Sequence, residues 1–275
     1  MNILVSLNSN YIKPLKTMLY SLFLTNKTDI DIYILHKSIK DSEIEDLEVF
    51  ISNHSNNKAK LLNLKVDDEF SHATTTFYYT PEMYFRLIAY KYLPENLDRI
   101  LYLDPDILVL NSLEDLYNED FEGNSFMAAV HTMPTVQPAN KARLMVTSEK
   151  LDIERYYNSG ILMINLDKAR KDPYENKIID YLAHTSKAGL LMPDQDLLNV
   201  VFRSDIKEIS ELKYNYDARR YQTYRVRYNY PMVRLVEETC ILHFCGKKKP
   251  WLENYSGIFE SLYQYMWQRA IRDNE

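Results

Sequence analysis

Residues 99–113 read RILYLDPDILVLNSL, Arg99 to Leu113. The apolar run at 100–103 has the composition of a strand covered on both faces. It breaks at Asp104-Pro105-Asp106, and a second apolar run follows at 107–110. Two carboxylates therefore flank a proline in apolar surroundings. Burying one bare carboxylate is costly, and burying two of like charge is worse. A hard divalent cation relieves both problems, because Mg²⁺ and Mn²⁺ favour carboxylate oxygen. Residues two apart in an extended segment point the same way, so Asp104 and Asp106 can share one ion. The same triplet also suits a plain turn between two strands, and the residues alone leave both readings open.

Upstream of this stretch, residues 3–7 read as a strand and 8–11 as a polar turn. Pro14 stands in the first turn of a helix running to 24. A strand at 30–35, a helix at 42–53 capped by Asp41, and a strand at 60–66 follow. This alternation opens a mostly parallel sheet with flanking helices, an α/β fold. Immediately before the central stretch, Pro81 begins a helix that carries Arg86. Downstream, strands are expected at 125–130, 157–166 and 240–244, and helices at 173–184, 193–202 and 257–272. Residues 132–152 show no clear period, and a loop of that length is uncommon unless functional. Residues 208–234 are rich in tyrosine and arginine. No linker or internal repeat interrupts the chain, so one continuous domain is expected.

The totals exclude several classes. With 33 basic and 39 acidic residues in 275, the net charge of −6 gives no support for a nucleic-acid binder. Two cysteines are too few for a disulfide scaffold, and a reducing compartment fits. Met1-Asn2 leads straight into a strand-like run, with no signal sequence. No segment approaches about 18 continuous apolar residues, so no transmembrane segment is expected. The first turn, SLNSNY, lacks glycine, which argues against a dinucleotide-dependent oxidoreductase. The 23 tyrosines pair large apolar faces with polar tips, which suits sugar-facing clefts and interfaces.

Five blocks stand in order along the chain: ILVSLNSNY, YFRL, LYLDPDILV, YYNSGILMINL with MPDQDLLN, and ILHFCGKKKPW. Together they make the chain resemble glycosyltransferase family 8, the retaining UDP-hexose transferases that include lipooligosaccharide galactosyltransferases and glycogenin. The resemblance implies a Rossmann-like nucleotide-sugar transferase fold of GT-A type. It implies a catalytic domain at 1–251 and a helical extension packed on it at 252–275. It implies UDP-galactose or UDP-glucose as donor, used with Mn²⁺ or Mg²⁺ and with retention at the anomeric carbon. The implied acceptor is a hydroxyl of a glycan or lipid-linked acceptor.

By the same resemblance, Asp104, Asp106 and His243 hold the metal, with Pro105 between the carboxylates. Leu7, Asn8 and Tyr11 hold the uracil. The family usually has aspartate at the position of Asn8 and often an acidic residue at that of Ser9, so base preference is open. Arg86 reaches the sugar and Asp104. Asn158, Ser159 and Gly160 line the donor sugar. Asp194 holds its hydroxyls, and Gln195 lies near the anomeric carbon. Gly246, Lys249 and Trp251 close over the diphosphate, with Lys249 neutralising the leaving phosphate. Asp196 and Asn199 read as structural. Residues 70–80, 132–152 and the tyrosine-rich stretch are expected to meet the acceptor. The expected partners are a nucleotide sugar and a carbohydrate acceptor, with room for peripheral membrane association and a homo-oligomer. The expected place is the cytoplasm, including the inner face of the membrane. The competing reading is a non-catalytic nucleotide-sugar or glycan-binding protein of the same fold.

Overall fold

A computed structural model describes residues 1–66, 82–130, 155–174, 176–178, 181 and 193–272, without the side chains of 82–84, 193, 194 and 272. The expected acceptor-facing segments 70–80 and 132–152 lie outside the described residues, as does most of the helix expected at 173–184.

The larger sheet is built from β1 (Asn2–Ser6), β2 (Ile30–His36), β3 (Ala59–Lys65), β4 (Arg99–Leu103), β6 (Phe126–Ala129), β7 (Ile161–Asn165) and β8 (Ile206–Ile209). Its order is β3-β2-β1-β4-β7-β6-β8. The pairs β2–β3, β1–β2, β1–β4 and β6–β8 are parallel, whereas β7 runs antiparallel to both neighbours. Alternation along the inner strands sends their side chains to both faces of the sheet, and both faces are covered there. Ile3, Val5, Leu101 and Leu103 face one core with Leu15, Leu19 and Leu22 of α1 (Ile12–Thr25) and Leu47 and Phe50 of α2 (Asp41–Ser55). Leu4, Ile100 and Tyr102 face the other with Phe85 and Leu87 of α3 (Glu82–Ile88) and Leu197 and Leu198 of α4 (Pro193–Val201). Each such fully buried side chain contributes roughly 1.5–3 kcal/mol.

The runs on either side of the DPD triplet do not lie in one sheet. β5 (Ile107–Val109) belongs to a second sheet, ordered β5-β10-β9, with β9 at Tyr216–Asp217 and β10 at Ile241–His243. Helix α1 fixes this departure: its Ser21 Oγ accepts from the Val109 N–H at 2.9 Å, and Asn26 Oδ1 accepts from Leu113 N–H at 2.8 Å.

Two local expectations are corrected, and the tyrosines take the core place that is one of the readings open to them. Helix α2 begins at Asp41 rather than being capped by it; Glu43 reaches back to the Lys40 N–H at 3.1 Å and accepts from Ser9 Oγ at 2.7 Å. The strand expected at 157–166 begins only at Ile161, because Asn158 Oδ1 takes the Gly160 N–H at 2.9 Å and turns the chain. The tyrosine-rich stretch is largely interior: Tyr216, Tyr224 and Tyr230 are buried with Phe244, Phe259 and Tyr263 around the second sheet. A sheet this small has few strand positions to fill, and large rings supply the apolar area. The last of these rings, Tyr263, comes from α5 (Glu260–Arg272) and packs on Phe244 and Trp251.

Candidate active site

The site forms where strands of the two sheets end. β4 delivers Asp104, and the antiparallel register Leu103↔Ile161 sets Gly160 opposite it, with the Asp104 N–H donating to Gly160 O at 2.8 Å. β5 leaves from Asp106 and pairs with β10 so that Ile107 faces His243, while the Phe244 N–H donates to Asp106 O at 3.0 Å. A histidine 137 residues beyond Asp106 is thereby brought beside it: His243 Nε2 lies 3.3 Å from Asp106 Oδ1. One ligand atom from each of Asp104, Asp106 and His243 lies within 4.8 Å of the others. Among the described residues this is the one such cluster.

The chemistry around the triad fits a cation. Asp106 and His243 are buried, while the Asp104 side chain keeps 23% exposure. Burial raises the Asp104 carboxyl above its ordinary value, with the Arg86 guanidinium opposing the rise. Burial also pushes Asp106 upward, but His243 and Lys249 outweigh it and hold that carboxyl far below the usual range. For His243 burial works downward, yet its acidic neighbours Cys245 and Asp106 raise it well above 6.5. The Cys245 thiol is itself pushed up by burial, so the Asp106 carboxylate is the charge that holds the imidazole proton. Gly160 leaves the remaining space: a Cβ there would stand 2.6 Å from both Asp104 Oδ2 and His243 Cε1. Two carboxylates, an imidazole and a gap that one methyl group would fill suit a borderline divalent ion.

The other sequence-expected residues divide clearly. Arg86 Nη1 donates to Ser159 O at 2.8 Å and lies 3.3 Å from Asp104 Oδ1, with its guanidinium 4.3 Å from the Tyr102 ring centre. Tyr102 donates to Asp104 Oδ1 at 2.6 Å. Gln195 is buried; its Oε1 accepts from Asn158 Nδ2 at 3.2 Å and Ser159 N–H at 3.4 Å. These contacts join α4 to the turn at 158–160. The side chain of Asp194 lies outside the described residues. Asn199 serves the backbone, accepting from Tyr157 N–H and donating to Tyr157 O, and Asp196 accepts from Tyr156.

Lys249 Nζ donates to Asp106 Oδ2 and, at 3.0 Å, to Phe244 O. Trp251 meets Tyr11 edge to face at 5.9 Å, so the C-terminal loop reaches the turn after β1. In that turn Leu7 is buried, and Asn8 Oδ1 accepts from Asn10 N–H at 3.1 Å as a cap. Gly246 has φ +88°, and a Cβ there would meet Arg219 Nη1 at 2.6 Å. Arg219 in turn grips the buried Asp217 carboxylate through Nε and Nη2.

Sequence reasoning missed Tyr102, Asn215, Asp217 and Arg219. Period-two alternation places Tyr102 on the face of Asp104 and could have found it. Asn215, whose Oδ1 lies 2.7 Å from His243 Nδ1, gave no signal, because their contact spans 28 residues.

A mostly parallel sheet extended through an antiparallel strand, with Asp104 at the end of one of its strands and His243 at the end of a strand of the smaller sheet, is an α/β fold of GT-A-like architecture. The chain belongs to glycosyl transferase family 8, whose profile matches residues 2–255. Membership makes it a hexosyltransferase. It is 28% identical over 268 residues to General stress protein A of Bacillus subtilis, covering 92% of this chain and 88% of that one. It is 24% identical over 261 residues to Lipopolysaccharide 1,2-glucosyltransferase of Escherichia coli K12, covering 91% and 72%. Among solved structures, galactosyltransferase LgtC in complex with donor and acceptor sugar analogues superposes with a TM-score of 0.79 at 22% identity, covering 98% of this chain and 96% of that one. No described helix is long and apolar enough to cross a membrane.

Proposed function

We propose that this chain transfers galactose or glucose from a UDP-sugar to a hydroxyl of a glycan or lipid-linked acceptor, with retention and with a divalent cation, Mn²⁺ in preference to Mg²⁺. The observation that carries the reading is the convergence of His243, from a distant part of the chain, on Asp104 and Asp106. These three residues would hold the ion, which supplies Lewis acidity toward the leaving diphosphate.

The remaining work falls to the chain's own groups. Lys249, already a close neighbour of Asp106, would turn its ammonium to the departing phosphate and add charge where charge develops. Gly246 would let backbone come close to the phosphates. Arg86, held by Ser159 O and Asp104, offers the rest of a rigid fork to the sugar. Asn158 and Ser159 line the sugar, and Asp194 binds its hydroxyls. Tyr11 stacks on the base beside Leu7. With its carbonyl occupied by the turn, Asn8 reads the base through its amide.

Gln195 is an amide tied into the 158–160 turn, and an amide is a poor nucleophile. We therefore favour a same-face route, in which the departing phosphate oxygen accepts the acceptor's proton, over a double displacement. Residues 1–251 would form the catalytic domain and 252–275 its packed helical extension. A panel of nucleotide sugars with Mn²⁺, read as released nucleotide, tests the whole reading. UDP release from UDP-galactose or UDP-glucose is expected; release from no donor, or only from a non-uridine donor, would contradict it.

A further inference from the structure

His243 can ligate through one ring nitrogen only if the proton of the neutral ring sits on the other. The structure supplies a partner for that proton. Asn215 Oδ1 lies 2.7 Å from His243 Nδ1, and both residues are 3% exposed. Asn215 ends the short helix Glu211–Tyr214, where its own N–H donates to Glu211 O at 3.0 Å. Its backbone closes the helix while its side chain reaches the ring. The next residues, Tyr216–Asp217, form β9, which runs parallel to β10 with Asp217 opposite His243. Asp217 is the nearer acid by register, but its carboxylate is gripped by the Arg219 fork. The neutral amide lies at Nδ1, Nε2 is turned toward Asp106, and the Cys245 thiol is a further hydrogen-bonding neighbour of the ring.

We propose that Asn215 is a positioning residue that holds the Nδ1–H tautomer of His243, so that the Nε2 lone pair is presented to the cation. The inference rests on the reading of Asp104, Asp106 and His243 as a cation site. Hydrogen-bonding the non-ligating nitrogen fixes both the tautomer and the plane of an imidazole ligand, and losing that bond weakens metal binding by about 10–100-fold in other sites. A neutral acceptor does this without adding a further carboxylate charge beside Asp104 and Asp106.

The test is Mn²⁺ titration in the presence of UDP, followed by the metal's electron paramagnetic signal, on wild type, Asn215→Ala, Asn215→Asp, His243→Ala and the Asn215→Ala/His243→Ala double variant. Asn215→Ala is expected to bind Mn²⁺ at least about tenfold more weakly, while Asn215→Asp, which keeps an acceptor at Nδ1, stays within about threefold of wild type. In the His243→Ala background, Asn215→Ala should cause no further loss, because Asn215 acts only through the imidazole. Additive losses, or wild-type affinity in Asn215→Ala, would overturn the inference. Nitrogen-15 spectra of the histidine rings with diamagnetic Mg²⁺ and UDP bound give an independent readout: a proton on Nδ1 is expected, and a proton on Nε2 would overturn it whatever the variants' folding. If wild type itself binds no Mn²⁺ with UDP, the cation site falls and the inference with it; if wild type binds and Asn215→Ala is unchanged, only the inference falls.

Discussion

Single side chains decide whether the triad holds a cation. Asp104→Asn keeps the shape of the site and removes one anionic ligand, and UDP release with Mn²⁺ is expected to fall by at least about 100-fold. Undiminished release would separate Asp104 from the reaction. Gly160 is the complementary case. An added methyl group would sit 2.6 Å from a carboxylate oxygen on one side and the imidazole on the other. Gly160→Ala should therefore weaken Mn²⁺ binding by about tenfold or more in a titration and, because both neighbours are tied in place, should also lower the ligand-free melting temperature. Both aspartates stand out in the sequence, since a pair of carboxylates between apolar runs calls for an explanation. Gly160 does not: its role follows from the pairing of β4 with β7, and nothing in NSG itself states what a side chain there would strike.

At the scale of elements, the loop from Gly246 to Trp251 connects the triad to the turn after β1. Lys249→Ala is expected to lower the maximal rate about 100-fold and to change donor affinity much less, provided that its bond to phosphate tightens as the bond to sugar breaks. Steady-state kinetics with the donor varied check this, and a larger fall in affinity than in rate would contradict it. The second sheet makes its own stability demand. Tyr224 donates to the buried Glu211 Oε1 at 2.6 Å, so Tyr224→Phe should cost about 1–3 kcal/mol in urea unfolding. This element shows where sequence reading ran out. The apolar runs of β1, β2 and β4 announce a parallel α/β sheet, because these strands are buried on both faces. The tyrosines of 208–234 carry no such period, and the same rings that would suit a sugar-binding wall instead fill the interior beside β9 and β10. Nor does the sequence reveal that the DPD triplet passes from one sheet to another, since β5 finds its partner β10 more than 130 residues away.

Across the whole molecule, the proposed cation would compete with protons for one place. Asp106 is held low, so its contribution to stability is present above the unfolded value near 3.8 and is lost only as pH falls through the lowered value. His243 is held well above 6.5; its contribution is full below 6.5 and is lost as pH rises through the raised value. In the ligand-free protein, the melting-temperature advantage of wild type over His243→Gln should therefore shrink as pH rises from about 6 to about 9. Metal affinity should run the opposite way and strengthen over the same range, because the ion needs the imidazole and Asp104 without their protons. Calorimetric titrations at several pH values check the sign, and tighter binding in acid would contradict it. The most direct measurement is the stoichiometry of Mn²⁺ bound per chain in the presence of UDP, compared between wild type and His243→Ala. One ion per wild-type chain and a loss of at least about tenfold in affinity in the variant are expected; equal binding by the two proteins would mean that Asp104, Asp106 and His243 do not share a cation.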